Sequence, residues 1–193
     1  MKICVFGAAS NEINNTYIEA VEKLGEELAK RDHELVFGAG GNGLMGAVAR
    51  GVYRGGGKIY GIIPKFFKDE EIELIFDKCD ELIYTETMAD RKSLMENMAD
   101  AFITVPGGIG TFEEFFQMMT LKQLGRHTKP MGLFDINGYF VDLEAFLKKS
   151  VSERFIREDC KMLYRYSTNM AEIFDYIEND KRIKKDVHDL KIG

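Results

Sequence analysis

The sequence predicts an α/β protein, a single domain built on a doubly wound parallel sheet flanked by helices. Short β-branched apolar runs alternate with longer amphipathic stretches, the pattern of strands joined by crossover helices. Glycines fall at the carboxyl ends of several of those runs, which is where such sheets bind ligands. With 193 residues, 45% hydrophobic and 30% charged, the chain is long enough for one full core and has the composition of an ordinary globular protein.

Taken in order, the expected strands are "KICVFG" (2–7), "HELVFG" (33–38), "KIYGII" (58–63), "DELIYT" (80–85), "AFITVP" (101–106) and "PMGLFD" (130–135). Between them, "NNTYIEAVEKLGEELAKR" carries Ile18, Val21, Leu24 and Leu28 at helical spacing, and "GLMGAVARGVYRG" carries Leu44, Val48 and Val52. Helices over 88–99, 111–124, 138–152 and 169–178 complete the alternation, and Pro64, Pro106 and Pro130 each stand at a strand boundary. Right-handed crossovers between successive strands then give a Rossmann-like sheet over residues 1–178. Residues 179–193 are strongly charged without a convincing apolar face, and read as a peripheral helix or a loose tail.

A formal net charge of −6 disfavours a nucleic-acid partner, so an anionic ligand must be small and locally held. The apolar run before Gly7 is too short for a signal peptide or a membrane span, and a cytoplasmic protein without membrane contact is expected. Cys4, Cys79 and Cys160 form no CxxC or Cys/His pattern, and His33, His127 and His188 are scattered. Neither a disulfide framework nor a metal site is expected, and the thiols read as buried or inert.

Three segments carry candidate chemistry. "GAGGNG", 38–43, fits G-x-G-x-x-G between a strand and a helix, but the acidic residue that would hold the ribose of NAD is missing and the motif follows the second strand. Gly40, Gly41 and Gly43 then serve either close packing of helix on sheet or backbone approach to a ligand. "RGGGKIY" lacks the hydroxyl residue and earlier glycine of a Walker A loop. "PGGIGT", 106–111, is the better anion site: Gly107, Gly108 and Gly110 bring backbone N–H groups close to a ligand at the positive end of a helix. Its bland alternative is a turn in which Thr111 caps the helix, with Glu114 completing a T-x-x-E capping box.

Glu113 and Glu114 point about 100° apart on that helix, so they take different roles. Placed beside an anion site, one of them suits a developing positive charge such as an oxocarbenium-like sugar carbon. In "TMADRKSLMENMAD" Arg91 interrupts a stripe of Met88, Met95 and Met98. It snorkels at the helix end, or forms an ordinary ion pair with a nearby carboxylate, or, with Lys92, completes an anion site. Met88, Met95 and Phe112 are candidates for an apolar base pocket, with core packing the alternative.

On these motifs the chain resembles the LOG ("lonely guy") family of cytokinin riboside 5'-monophosphate phosphoribohydrolases, long labelled lysine decarboxylases. "PGGIGTFEE" matches the family's PGGxGTxxE, and the likeness runs from "VFGAAS" through "GNGLMGAVA", "GIIPK", "QLGRHTKP" and "NGYF" to "ERFI", roughly residues 3–157. The family's MHxRK appears as "MADRK", with Ala89 in place of histidine, and its "TWxQLG" as "TLKQLG", with Leu121 in place of tryptophan. The resemblance implies that Arg91 and Glu114 are catalytic, and that Gly107, Gly108, Gly110 and Thr111 bind the substrate phosphate. It also implies a homodimer needing no cofactor or catalytic metal. The expected substrate is a purine nucleoside 5'-monophosphate, cytokinin-type or AMP, cleaved to free base and ribose 5-phosphate. Lys92 brings no pattern for a pyridoxal phosphate decarboxylase. The alternative is a nucleotide-binding or carrier protein without chemistry.

Overall fold

The computed structural model describes residues 1–70 and 72–181. Most of the charged segment expected at 179–193, His188 included, lies outside the described residues. Seven strands form one sheet: β1 (Lys2–Phe6), β2 (Glu34–Phe37), β3 (Ile59–Pro64), β4 (Glu81–Thr85), β5 (Ala101–Thr104), β6 (Met131–Phe134) and β7 (Arg165–Ser167). Every pairing is parallel and the spatial order is β4-β3-β2-β1-β5-β6-β7. The chain thus winds outward from β1 in one direction, returns to β1 at β5, and winds outward in the other.

The helices are α1 (Asn15–Lys30), α2 (Gly43–Arg54), α3 (Lys65–Asp69), α4 (Met88–Met98), α5 (Ile109–Gln123), α6 (Val141–Ser152) and α7 (Met170–Asn179), with a 3-10 turn at Glu158–Met162. Strand side chains alternate between two apolar layers. Ile3, Val5, Leu35, Phe37 and Ile103 meet Leu24 and Leu28 of α1, Val48 and Val52 of α2, and Ile173 and Phe174 of α7. Cys4, Phe6, Val36 and Phe102 meet Met95 of α4, and Phe115 and Met118 of α5. Each fully buried Leu or Phe contributes about 1.5–3 kcal/mol, so both faces of the sheet are anchored before any site is built. Glycines at 25 and 51 bring α1 and α2 into backbone contact, since a Cβ on Gly51 would lie 2.1 Å from the Glu22 carbonyl oxygen.

Three short elements escaped the sequence reading: α3, β7 and the 3-10 turn before it. α3 is five residues long with no buried side chain, too short for a period, and β7 is a three-residue edge strand beside a 3-10 turn. Helix α5 begins at Ile109, not 111, and α6 at Val141, not 138. The first shift decides how the α5 loop works. Cys4 and Cys160 are buried, Cys79 is half-buried, and among the described residues none of the three forms a disulfide. Burial pushes each one up, Cys79 to about 11, which leaves them protonated and unreactive near neutrality.

Candidate active site

A cleft of about 390 Å³ opens at the carboxyl ends of β1, β2 and β5, where the strand order reverses. It is lined by Gly40, Met88, Arg91, Gly108, Gly110, Thr111, Glu113 and Glu114, all singled out from the sequence, and by Ala8, Ser10, Phe67 and Glu73, which were not. Gly41, Gly43, Lys92 and Gly107 do not line it.

The loop after β5 is clamped from both sides. Ala8 N–H donates to the Pro106 carbonyl at 3.1 Å, and the Tyr139 hydroxyl donates to the Gly107 carbonyl at 2.6 Å. A Cβ on Gly107 would lie 2.1 Å from Thr111 Oγ1, so this glycine makes room for a buried threonine within the loop. Gly108 is the N-cap of α5, with φ −94° and no capping side chain. The T-x-x-E capping box, the bland alternative for this loop, is absent, because Thr111 already sits in the first helical turn. A capping box does form at α4, where Thr87 Oγ1 accepts from Asp90 N–H at 3.0 Å and Asp90 Oδ2 accepts from Thr87 N–H at 3.2 Å. The first turn of α5 therefore offers its N–H groups and positive end to the cleft, and a Cβ at Gly108 or Gly110 would meet nothing within 4 Å.

The other glycine loop is closed by the protein itself. Gly43 N–H donates to Asn11 Oδ1 at 2.9 Å, and Leu44 and Met45 N–H both donate to the Ala8 carbonyl, at 2.8 and 3.2 Å. The start of α2 has no donors left for an anion. Gly43 has φ +55°, and a Cβ there would lie 2.6 Å from the carbonyl oxygens of Ala8 and Ser10. Gly41 N–H donates to the Leu74 carbonyl at 2.6 Å. Gly41 and Gly43 thus hold neighbouring backbone rather than a ligand.

Gly38 and Gly40 have a different use. A Cβ on Gly38 would lie 1.8 Å from Arg91 Nη2, and one on Gly40 would lie 2.4 Å from Glu73 Oε1. These two glycines are the seats of two charged side chains. Arg91 is 9% exposed; its Nη1 lies 3.7 Å from Met88 Sδ, its Cζ lies 5.7 Å from the Phe67 ring centroid, and its Nε has no hydrogen-bond partner among the described residues. A guanidinium this buried without a carboxylate partner is poised for a ligand acceptor. Lys92 instead pairs with Glu113 at 2.5 Å, which neutralises the outer of the two adjacent carboxylates.

Glu114 is half-buried in the cleft, in the second turn of α5 and so past the first turn that the helix dipole stabilises. Burial pushes its pKa up to about 7, against the opposing pull of Arg91 and Lys92, while Glu113 and Glu73 add to the rise. A carboxyl group balanced between its two forms at neutral pH suits proton transfer. Among the described residues, no group of three or more His, Cys, Asp and Glu could hold a metal ion, and no helix is long and apolar enough to cross a membrane.

This geometry can now be set beside known proteins. A family model described as "Possible lysine decarboxylase" matches residues 45–177. Cytokinin riboside 5'-monophosphate phosphoribohydrolase LOG2 of Arabidopsis thaliana is 38% identical over 177 residues, covering 92% of this chain and 82% of that protein. The chain belongs to the LOG family. The family's LOG7 in the same plant is 39% identical over 177 residues, covering 92% of this chain and 81% of its own. Similar solved structures include the molybdenum cofactor binding protein of Rippkaea orientalis, with a TM-score of 0.68 at 18% identity, covering 92% of this chain and 94% of that one. The molybdenum cofactor carrier protein of Chlamydomonas reinhardtii has a TM-score of 0.68 at 20% identity, covering 92% and 95%. At those identities the likeness is one of fold alone.

Sequence reasoning missed the rest of the cleft for two reasons. Ala8 and Ser10 follow β1 directly, and the rule that ligands gather at strand carboxyl ends points to them once β1 and β5 are known to be neighbours. Glu73 gave no signal in sequence. It reaches the cleft because the segment after α3 is pinned to the loop after β2, by a bridge between Gly40 and Ile75 and by Phe76 N–H donating to the Ala39 carbonyl at 2.8 Å.

Proposed function

We propose that this chain hydrolyses the bond between base and ribose in a purine nucleoside 5'-monophosphate, either cytokinin-type or AMP, releasing free base and ribose 5-phosphate. The observation that carries the reading is one cleft holding an uncapped helix start, a buried guanidinium whose Nε has no hydrogen-bond partner among the described residues, and a carboxyl group with a pKa near 7. The N–H groups at Gly108–Thr111 hold the 5'-phosphate, and that remote binding energy orients the glycosidic carbon. Glu114, ionised, faces the sugar carbon as positive charge develops there, and accepts a proton from the attacking water. A new bond forms between water oxygen and the anomeric carbon as the carbon–nitrogen bond breaks; the departing base nitrogen takes up a proton from solvent, and Glu114 returns to solvent the proton it accepted from water. Arg91 holds an acceptor of the phosphate or ribose and favours the ionised form of Glu114. The chain acts as a homodimer in this reading, which light scattering tests. Ile109, 90% exposed at the start of α5, is apolar surface that a second subunit would cover.

The test is incubation of the purified protein with AMP and with isopentenyl-AMP, measuring ribose 5-phosphate and base, with Glu114→Gln in parallel. Both products are expected from wild type alone. Saturable nucleotide binding without release would sink the hydrolase reading in favour of a carrier. Equal rates on adenosine and AMP would remove the phosphate from the α5 loop.

A further inference from the structure

Two side chains in the cleft hold buried polar atoms with no partner, and they carry opposite charge. Arg91 Nε is one; Glu73 Oε1 is the other, with less than 1 Å² of exposed surface. Glu73 is not a misplaced surface residue. Gly40 lacks the Cβ that would collide with its Oε1, and three backbone contacts, Gly41 to Leu74, Gly40 to Ile75 and Phe76 to Ala39, fix the segment that carries it. Among the described residues no salt bridge joins Glu73 to a cation, although Arg91 is near enough to attract its charge. A fixed carboxyl group that lines the cleft while one of its oxygens is buried and unpaired is costly to the fold, so a fold that keeps it there holds the group for a ligand donor.

We propose that Glu73 is a specificity-determining residue of the cleft, accepting a hydrogen bond from a donor group of the bound nucleoside beside the acceptor that Arg91 engages. The inference rests on the nucleotide reading above and adds a residue to it. The donor cannot be the phosphate, which is acceptor-only as a dianion and is repelled by a carboxylate. It is either a ribose hydroxyl or the amino group of the base, both of which present a donor next to an acceptor and so match a carboxylate set beside a guanidinium. Burial raises the pKa of Glu73, as expected of a carboxyl group that has no partner until a ligand arrives.

The experiment is a residue-by-ligand-group cycle read as binding, in protein carrying Glu114→Gln so that nothing turns over. Calorimetry measures AMP, 2'-deoxy-AMP, 3'-deoxy-AMP and purine riboside 5'-monophosphate against Glu73 and against Glu73→Ala. Loss of the carboxylate is expected to weaken AMP about 10- to 100-fold. That loss should vanish for the one analogue lacking the donor, which says whether ribose or base supplies it. Glu73→Ala should melt no lower than its parent, because an unsatisfied group has been removed. An equal loss on all four ligands with a lower melting temperature would make Glu73 a structural residue and overturn the proposal, as would unchanged AMP binding. Wild-type protein assayed for ribose 5-phosphate in parallel separates the two readings: no hydrolysis defeats the reaction, while the binding cycle still decides Glu73.

Discussion

Two glycine-rich loops lead from a strand into a helix on the same edge of the sheet, and they do opposite things. In the loop after β2 the donors at the start of α2 are taken by Asn11 and the Ala8 carbonyl, and the missing side chains are filled by Arg91, Glu73 and neighbouring backbone. In the loop after β5 the helix start has no cap, and Gly108 and Gly110 face empty space. Glycine in a strand-to-helix turn is therefore ambiguous between close packing and ligand approach. What separates the two is whether the protein already satisfies the helix's first N–H groups.

The largest effect is expected where the open loop meets the chemistry. Glu114→Gln keeps the shape of the side chain but cannot ionise, so kcat should fall by about 10²- to 10⁴-fold while nucleotide affinity changes little. Steady-state rates with calorimetry on the same preparation check this, and turnover within a few-fold of wild type would remove Glu114 from the reaction. The closed loop should respond next. Gly38→Ala puts a methyl group 1.8 Å from Arg91 Nη2, and the end of a long side chain can move aside at small cost to the fold. The displaced guanidinium should lower kcat/KM by about 10²-fold with the melting temperature nearly unchanged. A large fall in melting temperature instead would mean that the guanidinium is held as part of the core.

Alanine scanning of glycine then separates the loops by stability. Gly43→Ala meets two carbonyl oxygens at 2.6 Å with φ at +55°, and should cost at least about 1–2 kcal/mol in denaturant unfolding. Gly110→Ala meets nothing and lies in the first turn of a helix, so it should be neutral or stabilising by up to about 1 kcal/mol, while weakening phosphate binding. Equal destabilisation by both substitutions would break the contrast.

The sheet was legible because its strands are short, apolar and punctuated, and the α5 loop was legible because three glycines in five residues before an acidic helix have few uses. Arg91 stood out as a charge in an apolar stripe. The alternative of a T-x-x-E cap on α5 fails because that pattern is local, whereas the helix starts at Ile109, after a loop held by Ala8 and Tyr139. The same limit hid the use of Gly38 and Gly40. Their partners, Arg91 and Glu73, lie tens of residues away and reach them only through the order of strands, which no local spacing encodes.

The remaining effect concerns what the site costs the fold. The pKa of Glu114 is raised from 4.5 to about 7, so between those values the folded chain holds a proton that the unfolded chain has released. Stability must then fall as pH rises through that window, and the cost is complete above about pH 7. Glutamine at the same position carries no charge at any pH and escapes the penalty. Melting temperatures of wild type and Glu114→Gln at pH 5 and pH 8 should therefore diverge, with the variant gaining on wild type at the higher pH. Activity runs the other way: the ionised form is the reactive one, so kcat/KM should fall as pH drops below about 7. Parallel melting curves with no acid limb in the rate profile would mean that Glu114 titrates as an ordinary surface carboxylate. The carboxyl group would then belong with the satisfied residues of the closed loop, and the contrast between the two helix starts would no longer reach the chemistry.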